Sequence, residues 1–306
     1  MDAASSSSPP QDARHARLMT AAARASVAVA LILIVAKLWA WRATGSVTLM
    51  ASLLDSLLDA FTSIITLLAV RYSLQPPDEE HRFGHGKAEA IAGLAQAAFI
   101  MGSAVAVLWN AADRFIHPRE LEHTGLGIGV MLLSMVLTSF LVLFQRYAIR
   151  ISGSTAIEAD SLHYVGDLLA NAGVIVALLL EARGVPYADA VAGLLTGILI
   201  IRSAWQIISK SLDMLLDHEL PAEVTCEFAG LVRCDKRILG FHDLKTRQSG
   251  TSYFFQLHIE VDGSLPLRQA HDIAEALEQR VVERWPGSEC LVHLDPRENY
   301  PVPAGI

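Results

Sequence analysis

Residues 47–72 read VTLMASLLDSLLDAFTSIITLLAVRY. At about 1.5 Å per residue a helix of this length crosses the roughly 30 Å hydrocarbon core of a bilayer. Yet the stretch carries Asp55 and Asp59, four residues apart and therefore on one helical face. The apolar run near residues 156–182 repeats the device with His163 and Asp167. An ionised Asp at mid-bilayer costs about 2.5–3.5 kcal/mol on an insertion scale, so three ask for roughly 7–10 kcal/mol of compensation. A divalent cation between the two helices supplies it, because three carboxylate oxygens and one imidazole nitrogen make the tetrahedral shell that zinc favours. The plainer reading, in which each group only bonds a neighbouring helix or lines a wet crevice, weakens against two matched pairs.

Working outward, apolar stretches of spanning length fall near Ala21–Trp41, Val47–Tyr72, Ala88–Phe115, Leu121–Tyr147, Ala156–Ala182 and Tyr187–Ile208, which predicts six transmembrane helices. With 52% hydrophobic and 18% charged residues, the chain suits a multi-pass protein in a lipid bilayer. Arg14, Arg17, Arg24, Arg71, Arg82, Lys87, Arg146 and Arg150 outnumber Arg42, Arg114, Arg119 and Arg183 on the alternate loops, so both termini are expected in the cytoplasm. Asp113, Glu158, Asp160 and Asp189 lie near span ends, where a charge reaches water, and stay out of the expected metal site. The Ser/Pro-rich start predicts a disordered tail over residues 1–18, with the six-helix transmembrane domain at 19–212. The apolar stretch from Ala21 is too long for a signal peptide and no cleavage site follows it. A net charge of −8 without a basic face argues against nucleic acid. Cys226, Cys234 and Cys290 lack metal-binding spacing and read as reduced thiols.

From about residue 213 to 306 the texture becomes that of a soluble domain. Helix Ala222–Asp235, strands Ile238–Thr246 and Ser252–Val261, helix Leu267–Trp285 and strand Glu289–Leu294 predict α-β-β-α-β, a two-layer α+β sandwich of ferredoxin-like or metallochaperone-like order. Two further groups of ligand-type residues appear. Asp78, His81 and His85 share the loop between the second and third spans, and such a loop is more often merely solvated. His242, His258, His271, His293 and Asp295 occupy strand and helix-start positions that converge at one end of the sandwich.

The stretches Asp55-Ser56-Leu57-Leu58-Asp59, Tyr72-Ser73-Leu74-Gln75-Pro76, Phe83-Gly84-His85-Gly86-Lys87-Ala88-Glu89, Ala159-Asp160-Ser161-Leu162-His163-Tyr164, Thr246-Arg247-Gln248-Ser249-Gly250 and His293-Leu294-Asp295-Pro296 carry a resemblance. From about Ala25 to Pro296 the chain resembles the cation diffusion facilitator family, in its bacterial zinc and ferrous-iron efflux branch. The resemblance implies a homodimer in the bacterial inner membrane. It makes Asp55, Asp59, His163 and Asp167 the transport site, and Asp78, His81 and His85 a loop metal site. His242, His258, His271, His293 and Asp295 become a two-metal site at the dimer interface, with the carboxylate bridging. It further implies a hydrophobic gate at Leu162 and an inter-protomer salt bridge between Lys87 and Asp217. Leu294 stands where this branch commonly has Gln.

The expected activity is divalent metal efflux by metal/proton antiport with alternating access. Crowded carboxylates repel one another, so protons fill the site when metal leaves, and metal expels them in turn. Zinc is the first expectation, with cadmium and ferrous iron as alternatives, while in the family an Asp at the His163 position accompanies manganese. An intramembrane metalloenzyme is the chief rival, but no H-E-x-x-H occurs and all four ligands are needed to close the shell. A metal sensor that binds without transporting is the second.

Overall fold

The computed structural model describes residues 10–116, 125–181, 183, 185 and 187–297. Two compact units emerge, His15–Leu212 and one running from Asp213.

Six long helices make the first: α1 Pro10–Thr44, α2 Val47–Ser73, α3 Ala88–Ile116, α4 Gly125–Ser152, α5 Thr155–Glu181 and α6 Ala188–Leu215. The expectation of disorder over residues 1–18 is corrected in part, since α1 already begins at Pro10 and residues 1–9 lie outside the described ones. Proline suits a first helical position, where its fixed φ fits and its missing N–H is not needed. The expected start of the fourth span, at residues 121–124, also lies outside the described residues. By length and composition α1 to α4 and α6 can cross a membrane. The fifth helix is as long as α2 but interrupts its apolar surface with Glu158, Asp160, His163, Asp167 and Asn171. Outward-facing apolar side chains such as Val35, Trp39, Phe140 and Leu143 are exposed on the bundle, as lipid contact requires. Between the helices, small residues let backbones approach, Ala22, Ala92, Ala148 and Ala156 all being buried.

The second unit follows the expected order: α7 Ala222–Arg233, β1 Gly240–Ser249, β2 Ser252–Asp262, α8 Leu267–Arg284 and β3 Glu289–Arg297. Its sheet order is β1-β2-β3, antiparallel between the first two strands and parallel between β2 and β3, with α8 making the crossover a parallel pair demands. Alternation along β2 turns Phe255, Leu257, Ile259 and Val261 inward, onto Phe228 and Val232 of α7 and Ile273, Leu277 and Val281 of α8. Phe228 and Phe255 stack with ring centroids 4.4 Å apart. The opposite parity places His258 on the face away from this core.

Candidate metal centres

In the helical bundle, α2 and α5 bring their polar faces together. His163 Nε2 lies 2.8 Å from Asp59 Oδ1 and 3.8 Å from Asp167 Oδ2. One ligand atom from each of the three lies within 4.8 Å of the other two. A tetrahedral ion with bonds of about 2.0–2.2 Å spaces its ligand atoms roughly 3.3–3.6 Å apart, so the gaps bracket what zinc needs. Asp167 keeps 42% of its side chain exposed against 13% for His163, which leaves a side by which an ion can enter. Asp55, one turn earlier on α2, is exposed and stands outside this group, so the structure gathers three of the four expected ligands. Leu162 packs with Ala97, Ala159 and Ile207, against α3 and α6.

Sequence reading missed a cation here. Lys37 of α1 donates from Nζ to Ser56 Oγ at 2.7 Å and to the Ser52 carbonyl at 3.1 Å, both on α2, and it feels the charges of Asp59, Asp167 and Asp55. A lysine within the apolar span Ala21–Trp41 was the available signal.

One sequence expectation is overturned. Asp160 does not reach water: it is 1% exposed, and its carboxylate accepts from Ser26 Oγ at 2.6 Å, Gln145 Nε2 at 2.7 Å and Ser63 Oγ at 3.3 Å. Nearness to a helix end does not expose a residue when α1, α2 and α4 cover that end. Glu158, by contrast, is partly exposed and pairs with Lys210.

The loop between α2 and α3 gathers its expected trio. His81 Nδ1 lies 3.3 Å from Asp78 Oδ1, and His85 Nε2 lies 3.3 Å from Asp78 Oδ2. Asp78 Oδ1 also accepts the backbone N–H groups of His81 at 2.6 Å and Glu80 at 3.0 Å, and the His81 amide holds this carboxyl below the usual carboxylate range. Gly84 makes the arrangement possible, because its φ of +76° turns the chain so that His85 comes back under Asp78. His85 Nδ1 sits 3.4 Å from the Gln75 carbonyl, which orients the ring with Nε2 toward the trio.

On the open face of the small sheet the register aligns His242 with His258 and His258 with His293. Three imidazoles thus stand side by side across three strands. Asp295 touches all of them: Oδ2 is 3.0 Å from His258 Nδ1 and 3.6 Å from His242 Nε2, and Oδ1 is 3.3 Å from His293 Nε2. A carboxylate presenting different oxygens to different imidazoles is placed to bridge two ions. His271, at the start of α8, is exposed and outside the group formed by His242, His258 and Asp295. Leu294 packs against the core, so its side chain lies away from His293. Asp243 joins the rim, its Oδ2 3.9 Å from His258 Nε2, and the Lys245 ammonium at 2.9 Å depresses its carboxyl. The irregular register between His242 and Lys245 sets this residue, at φ +49°, beside the histidines, which strand alternation alone does not foretell. Asp217 pairs with Arg247 at 3.3 Å within the chain.

Two family models cover most of the sequence: the cation efflux transmembrane domain matches residues 23–216, and the cation efflux protein cytoplasmic domain matches residues 220–297. The chain belongs to the cation efflux family. Among members, the cation-efflux pump FieF of Salmonella arizonae is 44% identical over 92% of this chain and 94% of its own. FieF of Pectobacterium atrosepticum is 45% identical over 94% and 96%. A solved metal-bound C-terminal domain of the CzcD transporter from Thermotoga maritima is 21% identical, covers 26% of this chain and 93% of its own, and has a TM-score of 0.24. The cation efflux chain described here is a membrane transporter of divalent metal cations and not an enzyme.

Proposed function

We propose that this protein exports zinc, with cadmium and ferrous iron as alternative cargoes, in exchange for protons. The observation that carries the reading is the meeting of Asp59, His163 and Asp167 from two helices at ligand spacing. Asp55 completes the shell when an ion draws it in from the adjoining turn. With the site open to the cytoplasm, metal displaces protons from Asp55, Asp59, Asp167 and His163; open to the far side, protons displace metal, so an inward proton gradient drives metal out. The imidazole of His163 favours zinc and cadmium over harder ions, for which an all-oxygen shell is better. Both termini lie in the cytoplasm of a bacterial inner-membrane protein, Leu162 closes one access path, and the transport domain gives way to the cytoplasmic one at residues 212–213.

The three aligned histidines and Asp295 hold regulatory metal where a second protomer, contributing its own surface, completes the coordination. Metal there favours the dimer and one conformation, linking export to cytoplasmic metal level. His271 and the Lys87–Asp217 bridge belong to this assembled state. The loop trio of Asp78, His81 and His85 takes a further ion.

Reconstituted vesicles loaded with a pH indicator test the reading. Zn²⁺, Cd²⁺, Fe²⁺ and Mn²⁺ are added in turn; zinc should move protons across the wild-type membrane, and Asp59→Ala should abolish the response. Zinc transport by Asp59→Ala refutes the site, and zinc binding without proton movement makes the protein a sensor.

A further inference from the structure

We propose that Lys37 is a built-in cation of the transport site, held where it weakens the grip of the carboxylates on a divalent ion and so allows the ion to leave. The idea rests on the transport reading above. A lysine inside a spanning helix is costly and marks function by default, with its partner to be named. Here the partners are neutral. The ammonium is tied to Ser56 Oγ at 2.7 Å and the Ser52 carbonyl at 3.1 Å, on the same stretch of α2 that carries Asp55 and Asp59. Among the described residues it forms no ion pair, although Asp59, Asp167 and Asp55 all act on it electrostatically.

That arrangement discriminates between roles. A structural salt bridge would place the ammonium on a carboxylate. A simple tether between α1 and α2 needs only a neutral donor, and a threonine or asparagine would supply one without burying charge. A cation held back from the acids by two uncharged acceptors leaves their oxygens free for metal while acting on them at a distance. The charges then close. Three carboxylates, one divalent ion and one ammonium sum to zero with His163 neutral as a ligand. Without Lys37 the loaded site keeps a net negative charge in low dielectric, which holds the ion too firmly for rapid release.

Zinc-driven flux in proteoliposomes, measured at about pH 8, where free carboxylic acids are ionised, reads the site through which the ion passes. Lys37→Met should lower KM by about tenfold, from the lost repulsion between ammonium and metal, and lower kcat with it because release slows. Lys37→Arg should return both toward wild type. Ser56→Ala, which keeps the charge but frees the ammonium to reach a carboxylate, should raise KM and serves if the Met variant does not fold. An unchanged or raised KM in Lys37→Met, or an unchanged KM in Ser56→Ala, overturns the proposal and leaves the transport reading standing. Absence of zinc-driven flux in the wild type overturns both.

Discussion

Asp160 offers a substitution whose outcome depends on hydrogen-bond geometry. Asp160→Ala removes the acceptor for Ser26 Oγ, Ser63 Oγ and Gln145 Nε2. Each charge-assisted bond is worth about 1.5–3 kcal/mol, and an orphaned buried donor costs about 1–3 kcal/mol. Ser26 retains the Ala22 carbonyl at 3.2 Å and Ser63 retains Tyr164 Oη at 2.9 Å, which offsets part of the loss. The net cost is then about 3–5 kcal/mol, the usual range for breaking a buried charged network. Asp160→Asn should behave differently. Its Oδ1 still accepts from Ser63 Oγ, while its new Nδ2–H group stands where Ser26 Oγ and Gln145 Nε2 had donated and needs an acceptor. Gln145 Oε1, buried and without a hydrogen-bond partner among the described residues, becomes that acceptor once the amide turns over. About 1 kcal/mol or less is expected. At roughly 2–4 °C per kcal/mol, thermal unfolding in detergent should fall by about 6–20 °C for Ala and by less than about 4 °C for Asn. Adding Gln145→Leu to Asp160→Asn should restore the larger cost. If Asp160→Asn proves as damaging as Asp160→Ala, the buried negative charge is itself required and the donor accounting fails.

Other perturbations address the remaining sites. Gly84→Ala forces a side chain into a left-handed backbone at about 1–2 kcal/mol and should weaken zinc binding to Asp78, His81 and His85, read by calorimetry, while the KM for transport holds. Asp295→Asn should cost at least about tenfold in zinc affinity at the cytoplasmic domain, with flux at saturating zinc retained; unchanged affinity would exclude the bridging role. The Arg237 guanidinium holds Asp235 down at about 2. A depressed folded value stabilises above the unfolded one, so its contribution should be complete above about pH 4 and vanish as pH falls through about 2. Hydrogen exchange of β2 amides, corrected for intrinsic rates, should show that loss in the wild type and a flatter profile in Asp235→Asn.

Much of this organisation was legible because it is periodic. Apolar length marks the long helices, and spacing of four residues puts Asp55 with Asp59 and His163 with Asp167 on single faces. Strand alternation likewise separates Phe255, Leu257 and Ile259 from His258. Periodicity places a residue on a face but does not say what covers that face, and the misses share this cause. Nearness to an end of α5 suggests water for Asp160, whereas neighbouring helices enclose it. Lys37 hides in its span because an apolar window averages away one cation. The lateral alignment of His242, His258 and His293 depends on register between distant strands, and the place of Asp243 on an irregularity within β1.

The bundle also explains why metal would choose Asp59, His163 and Asp167 when Asp160 lies one turn away on the same helix. Asp160 accepts three hydrogen bonds from the protein, and an ion binding there must displace all three donors. Among the described residues, His163 is the one hydrogen-bond partner of the Asp59 carboxylate, and it approaches Asp167 only to 3.8 Å. These acids are buried enough to need compensation and too poorly supplied with donors to obtain it from the protein. A satisfied carboxylate locks the helix in place, and its under-supplied neighbours exchange partners. On the proposed reading, a divalent ion and protons are the partners that reach them, each leaving a deficit that the other fills.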